Sequence, residues 1–564
     1  RSLELAAVTD ATFTPSRLIV VTPPWNFPVA IPAGSVLAAL ASGSAVIIKP
    51  APQARRSAAV MIEALWEAGV PRDVLRLVDI EEGDLGRELV SHPAVDRVIL
   101  TGAYETAELF RSWRPDLPLL AETSGKNAII VTPSADLDLA VADVVKSAFG
   151  HAGQKCSAAS LVILVGSVAK SERFRRQLVD AVGTLRVGLP QNPLSQMGPI
   201  IEPAHGKLLH ALTTLEPGQS WLVKPRELGE DGRLWTPGVR DGVATGSEFH
   251  RTEYFGPVLG IMTAATLEEA IELQNASAYG LTGGIHSLDA HEVAMWLALV
   301  DAGNAYVNRG ITGAVVRRQP FGGWKRSSVG AGAKAGGPNY LLTLGSWSAV
   351  PAEPSEDLRL EGLDSSVESL IAAAQSGLEF LEFDAVRRAA LSDEAAWQQE
   401  FGTSRDVSDL KVERNVFRYL PVAVTLRLAE GEPVGALVRL LAAAARAHAP
   451  VAISSAVPLP ATLVALFSGG LSPLRVRGIV VESDAAWLDR AAAGGITTAR
   501  VRLAGGDAAA LAAAVGGTPD LAIYAGEVTA AGRVELLPFL REQAVSITAH
   551  RFGNPDAAMI ALEV

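Results

Sequence analysis

The sequence predicts an α/β protein built on parallel, doubly wound sheets. Two stretches carry that expectation, one in the first third of the chain and one after about residue 365. In each, apolar runs of about five residues alternate with helical patterns of about ten, the signature of strands buried on both faces by crossover helices. The third observation is size: 564 residues, 49% hydrophobic and 20% charged, suffice for about three or four packed units.

Along the first third, Arg17–Thr22 reads as a strand, Pro32–Ala41 as a helix and Ala45–Lys49 as a strand. Ser57–Ala68 follows as a helix, Leu75–Asp79 as a strand, Asp84–Val90 as a helix and Val95–Thr101 as a strand. Sheets of this kind bind ligands at the carboxyl ends of their strands. The middle, Glu122 to Gly323, is mixed and richer in turns, and Ala349–Asp357 has the prolines and acids of a linker. After about 365 alanine dominates. Strands are expected near Pro450–Ser454, Arg477–Glu482, Ala499–Leu503 and Leu521–Tyr524, with helices near Ala461–Phe467, Ala485–Ala493 and Asp507–Val515.

Composition excludes several classes. With 49 Lys+Arg against 61 Asp+Glu the net charge is −12, which argues against a nucleic-acid binder because phosphate neutralisation needs a basic surface. A single cysteine rules out an internal disulfide framework and any Cys-built metal site, and points to a reducing, cytoplasmic setting. No metal site is expected. The most apolar stretch, Ala449–Ser468, is interrupted by Pro450, Pro458 and Pro460, so no integral membrane segment is expected.

Three residues stand out chemically. Cys156 lies in Gly150-His151-Ala152-Gly153-Gln154-Lys155-Cys156; a free cysteine is ordinarily a small buried hydrophobe, but Lys155 and His151 beside it would favour a thiolate. Glu122 follows the apolar Pro118-Leu119-Leu120, where a pocket would raise its pKa toward that of a base, although a solvated turn is the common outcome. Asn26, in Pro23-Pro24-Trp25-Asn26-Phe27-Pro28, is a turn former whose amide is also able to donate to an oxyanion.

Taken with their surroundings, these residues form a pattern. Trp25-Asn26-Phe27-Pro28, Ile48-Lys49-Pro50, Glu122-Thr123-Ser124-Gly125-Lys126-Asn127, Gly153-Gln154-Lys155-Cys156, Glu253-Tyr254-Phe255-Gly256-Pro257 and Pro320-Phe321-Gly322-Gly323 stand in the order used by aldehyde dehydrogenases, which residues 15 to 347 resemble. Gly303–Arg309, Thr312–Val316 and Lys334–Tyr340 resemble the Δ1-pyrroline-5-carboxylate dehydrogenase branch, often the C-terminal half of a bifunctional proline-utilisation protein. The resemblance implies a Rossmann-like cofactor domain, an α/β catalytic domain and oxidation of L-glutamate γ-semialdehyde to L-glutamate. It implies Cys156 as nucleophile, Asn26 as oxyanion donor and Glu122 as the base that activates water. It places Lys49, Pro50, Gly102, Ala103, Glu253 and Phe255 at the cofactor, and Ser157, Gly313, Ala314 and Phe321 at the substrate. NAD is the implied cofactor, with NADP left open because Pro52 stands where many NAD-specific relatives carry Glu. FAD would belong only to a separate proline dehydrogenase domain, the partner expected upstream; a homo-oligomer is expected as well.

The implied division is a dinucleotide-binding domain at 1–121, a catalytic domain at 122–325, a return segment and linker at 326–360, and a second, non-catalytic aldehyde-dehydrogenase-like domain at 361–564. Only 24 residues precede Trp25, so the cofactor domain is expected to be N-terminally truncated. Two other readings stay open: a dehydrogenase for another carboxylated aldehyde such as succinate semialdehyde, and an inactive scaffold fragment.

Overall fold

The computed structural model describes residues 3–81, 83–468, 472 and 474–564. The chain forms two units, each discontinuous in sequence. The first contains Arg1–Ala121, Val329–Ser404 and Arg418–Glu542; the second contains Glu122–Ser328, Arg405–Phe417 and Gln543–Val564. The expected break after 121 coincides with a unit boundary, and that after 325 falls near one. The expectation of a separate 361–564 domain is corrected: most of that stretch belongs with the first unit, while 405–417 and 543–564 belong with the second.

The first unit holds two parallel sheets. In one, Leu18–Thr22 lies between Arg97–Thr101 and Ala45–Ile48, and Leu75–Leu77 pairs beyond the latter. Continuous apolar runs such as Leu-Ile-Val-Val suit strands covered on both faces. Ile19, Val21, Val46, Ile48 and Ile99 accordingly pack with Val36 and Ile62 of the helices Ala30–Ser42 and Arg55–Glu67. The other sheet has the order Val476–Val481, Val451–Ser455, Val424–Leu428, Arg500–Ala504, Ala522–Tyr524, all parallel. Its central strand, Val424–Leu428, was not among those expected. The alanine-rich helix Val434–Arg446 is buried along most of its length, because small side chains let neighbouring helices approach closely on all sides.

The second unit is organised on a ten-stranded sheet. Asn127–Val131 lies at its centre between Ala159–Val165 and Thr282–His286, and Asn304–Val307 pairs beyond the latter. Asn304–Val307 then pairs in parallel with Ala544–Ile547, and Glu413–Pro421 lies outside that strand. The late chain therefore extends this sheet. Among the described residues no helix is long and apolar enough to cross a membrane.

Candidate active site

The segment before Cys156 is bent sharply. After the helix Leu137–Phe149 the backbone takes three consecutive left-handed residues, His151 (φ 60°), Ala152 (φ 53°) and Gly153 (φ 69°). A Cβ at Gly153 would stand 2.2 Å from the Gly256 carbonyl oxygen, so only glycine permits this approach. For His151 and Ala152 the conformation costs about 1–3 kcal/mol each and persists only where neighbours enforce it. Two amides do so. Gln154 donates to the Phe255 carbonyl (3.3 Å) and accepts from the Ile201 N–H (2.9 Å). Asn127 donates to the carbonyls of Cys156 (2.7 Å) and Ala158 (3.0 Å) and accepts from the Thr282 N–H (3.0 Å).

The electrostatics of the thiol correct one expectation. Cys156 keeps part of its surface accessible, yet burial, followed by the charges of Glu253 and Glu122, pushes its pKa up to about 12. Burial and the two carboxylates outweigh the neighbouring cations. Lys155 is itself held below its usual range by burial and by Lys146, and His151 is exposed. In the chain alone Cys156 rests as a thiol.

Both carboxylates are held by backbone N–H groups. Glu122 accepts from Gly323 (3.1 Å), next to Phe321, and the same segment is fixed by Asn304, which donates to the Pro320 carbonyl and accepts from the Gly322 N–H. Glu253 accepts from Gly125 (2.9 Å); burial raises its pKa against that bond. Glu253 is thus a half-buried group. Lys126 stands close by with its Nζ buried and without a hydrogen-bond partner, 4.3 Å above the Phe249 ring. Burial lowers its pKa to about 7.

The second unit thus gathers Glu122, Cys156, Glu253 and Phe255 around two touching loops. Ser157 is buried beside the nucleophile, whereas Gly313 (φ 82°) and Ala314 lie on an exposed loop. The sequence reading had given no role to Asn127 or Gln154, although both lie inside motifs it quoted. Ser327, which donates to the Ser124 carbonyl (2.6 Å) and whose own carbonyl accepts from the Thr123 N–H (3.0 Å), carried no local signal.

In the first unit the remaining candidates follow three adjacent parallel strands. Asn26, which is buried, comes after Leu18–Thr22; Lys49 and Pro50 come after Ala45–Ile48; Gly102 and Ala103 come after Arg97–Thr101. The helix Tyr104–Trp113 follows Ala103, which gives it no side-chain cap. Three strand ends, a lysine and a helix start without a side-chain cap thus lie at one end of this sheet.

Comparison with known proteins places the chain in a family. The aldehyde dehydrogenase family model matches residues 8–347. The bifunctional protein PutA of Klebsiella aerogenes is 35% identical over 453 residues, 77% of this chain and 34% of that protein. The chain therefore spans about a third of the length of this curated relative. The structure of proline utilization A (PutA) from Corynebacterium freiburgense is similar over 98% of this chain and 52% of its own, with 49% identity and a TM-score of 0.82. The 1-pyrroline-5-carboxylate dehydrogenase from Thermus with bound NAD is similar over 60% of this chain and 67% of its own, with 35% identity and a TM-score of 0.56. The family match spans more than half of the chain and leads to one assignment: this chain belongs to the aldehyde dehydrogenase family.

Proposed function

We propose that the chain carries the dehydrogenase that oxidises L-glutamate γ-semialdehyde to L-glutamate in proline catabolism, with NAD as cofactor. The observation that carries the reading is the Cys156 thiol in one unit with Glu122 and Glu253, on a loop whose carbonyls Asn127 holds. The names of the relatives narrow the substrate.

Cys156 Sγ adds to the aldehyde carbon and its proton passes to a base, giving a tetrahedral thiohemiacetal. The Asn26 amide and the Cys156 backbone N–H are the donors assigned to its oxyanion. NAD, when bound, would supply the hydride acceptor for this carbon, and Cys156 would then hold the acyl group as a thioester. Glu122, oriented by the Gly323 N–H, deprotonates water for attack on the thioester, which frees the acid and restores the thiol. Lys49 and Glu253 are assigned to the two riboses, Pro50, Gly102 and Ala103 to the dinucleotide path, and Phe255 to the nicotinamide. Ser157 and the N–H groups of Gly313 and Ala314 are assigned to the substrate carboxylate, and Phe321 to the wall beside the aldehyde. A proline dehydrogenase domain in the same longer protein would supply the aldehyde precursor, a proposal supported by the bifunctional relatives.

The test is NADH formation at 340 nm with glutamate semialdehyde, for the wild type and Cys156→Ala, alongside NAD titration of both. Activity that falls by at least about a thousandfold in the variant, while NAD binding persists, supports the assignment. Undiminished turnover in the variant, or a wild type that binds NAD without oxidising this aldehyde, overturns it.

A further inference from the structure

We propose that Asn415, contributed by the late chain, is a positioning residue for the loop Arg309–Gln319, and that through this loop it sets the affinity for the substrate carboxylate. The inference rests on the reading of Gly313 and Ala314 as the carboxylate anchor.

The loop has little to hold it. Residues 313–318 are exposed, Val316 at 81%, and the backbone is left-handed at Gly313 (φ 82°) and Arg317 (φ 68°). No apolar side chain of these six is buried, so the order of the loop depends on polar tethers. An anion site made of converging N–H groups needs its donors placed within about 0.5 Å.

The tethers come from residues 405–417, in the same unit. Asn415 is wholly buried (0% exposed) and all its polar groups are engaged. Its Oδ1 accepts from Gln319 Nε2 and Ser546 Oγ; its Nδ2 donates to Ser408 Oγ and Glu413 Oε1. Its N–H donates to Asp406, and its carbonyl accepts from the Val407 N–H. Gln319, also buried, uses its Oε1 to accept the Val315 N–H at 2.7 Å, one residue beyond Ala314. A chain of hydrogen bonds thus runs from Ser546 and Asn415 through Gln319 to the backbone beside the anchor. Glu413, two residues before Asn415, holds Arg309 (3.2 Å) and Arg318 (3.8 Å), one at each end of the loop. Asn415 acts through Gln319 and is a positioning residue, not a catalytic one.

The test compares glutamate semialdehyde with pentanal, an aldehyde of equal chain length without the carboxylate, for the wild type, Asn415→Ala, Gln319→Ala and the double variant. Loss of this tether should raise KM for glutamate semialdehyde by about tenfold with kcat within about twofold, and leave kcat/KM for pentanal unchanged. The double variant should be no worse than the worse single, because both residues act along one path. Equal losses on the two aldehydes, no change on either, or multiplicative effects in the double variant overturn the inference while leaving the anchor intact. A wild type that oxidises both aldehydes equally well overturns the anchor reading and this inference with it. If Asn415→Ala does not fold, Glu413→Gln applies the same test to a partly exposed tether. A KM rise of about threefold confined to the carboxylated aldehyde supports the inference, and its absence overturns it.

Discussion

The two parallel sheets of the first unit share an architecture and differ at the carboxyl ends of their strands. In the sheet around Leu18–Thr22, the helices Ala30–Ser42, Arg55–Glu67, Asp84–Ser91 and Tyr104–Trp113 all start without a side-chain cap. In the sheet around Val424–Leu428, the helices Asp484–Ala492 and Ala508–Ala514 are capped by Ser483 and Asp507. Side chains of its strands also bind one another's loops. Arg427 reaches Ser454, the Glu482 carbonyl and Asp484, and Arg502 meets buried Glu535 and the Gly526 carbonyl. The helix Val434–Arg446, after the central strand, starts without a side-chain cap as well, so the contrast lies in the side-chain ties of Arg427 and Arg502 and in those two caps. The second sheet is closed at its strand ends by its own side chains, and a few polar residues make that difference.

The largest effect expected concerns the Cys156 thiol. With its pKa pushed up to about 12, Cys156 without cofactor should be alkylated by iodoacetamide on the order of a thousandfold more slowly at pH 8 than an ordinary thiol. The thiolate fraction grows with pH below that pKa, so the rate should climb about tenfold per pH unit from 8 to 10. A plateau near pH 8.5 would show an unburdened thiol.

Breaking the closure of the second sheet comes next. Arg502→Met strands Glu535, which is 1% exposed, and should lower unfolding stability by about 3–5 kcal/mol. NAD affinity of the folded protein should not change. A variant that lost NAD binding while still folded would mean that the second sheet takes part.

The comparison is sharpened by making the first sheet resemble the second. Ala103→Asp adds the cap that Asp507 provides elsewhere, and should stabilise the helix by about 1 kcal/mol while weakening NAD by about tenfold, since a carboxylate replaces an anion site. Isothermal titration and thermal melts read both. The smallest change is the reverse one: Asp507→Ala should cost about 1 kcal/mol of stability without altering dinucleotide affinity.

The strands that the sequence reading located share one property, a continuous apolar run. Leu18–Thr22, Ala45–Ile48 and Val451–Ser455 each lie within about a residue of the expected bounds. Val424–Leu428 escaped notice because Thr425 and Arg427 interrupt the pattern; both are buried all the same, since Thr498, Ser454 and Asp484 satisfy them. Leu540–Thr548 escaped for a similar reason, with Glu542, Gln543 and Ser546 all buried. Partners far along the chain made those polar positions acceptable in a core, and no local pattern records such partners.

Residue types and their order along the chain by themselves determined the family, the single thiol, the candidate carboxylates and the parallel α/β class, because spacing and apolar runs are local properties of a sequence. The tertiary structure alone decided what state those groups are in. It sets the partly covered Cys156 near two carboxylates so that the thiol rests protonated, against the thiolate its flanking cations suggest, because desolvation depends on everything packed around a group. It also decided that residues 405–417 and 543–564 extend the sheet that carries Cys156, where Asn415 comes to hold a loop about a hundred residues earlier. Which strands pair depends on edge complementarity and loop closure across the whole chain, and those energies have no address in any single segment.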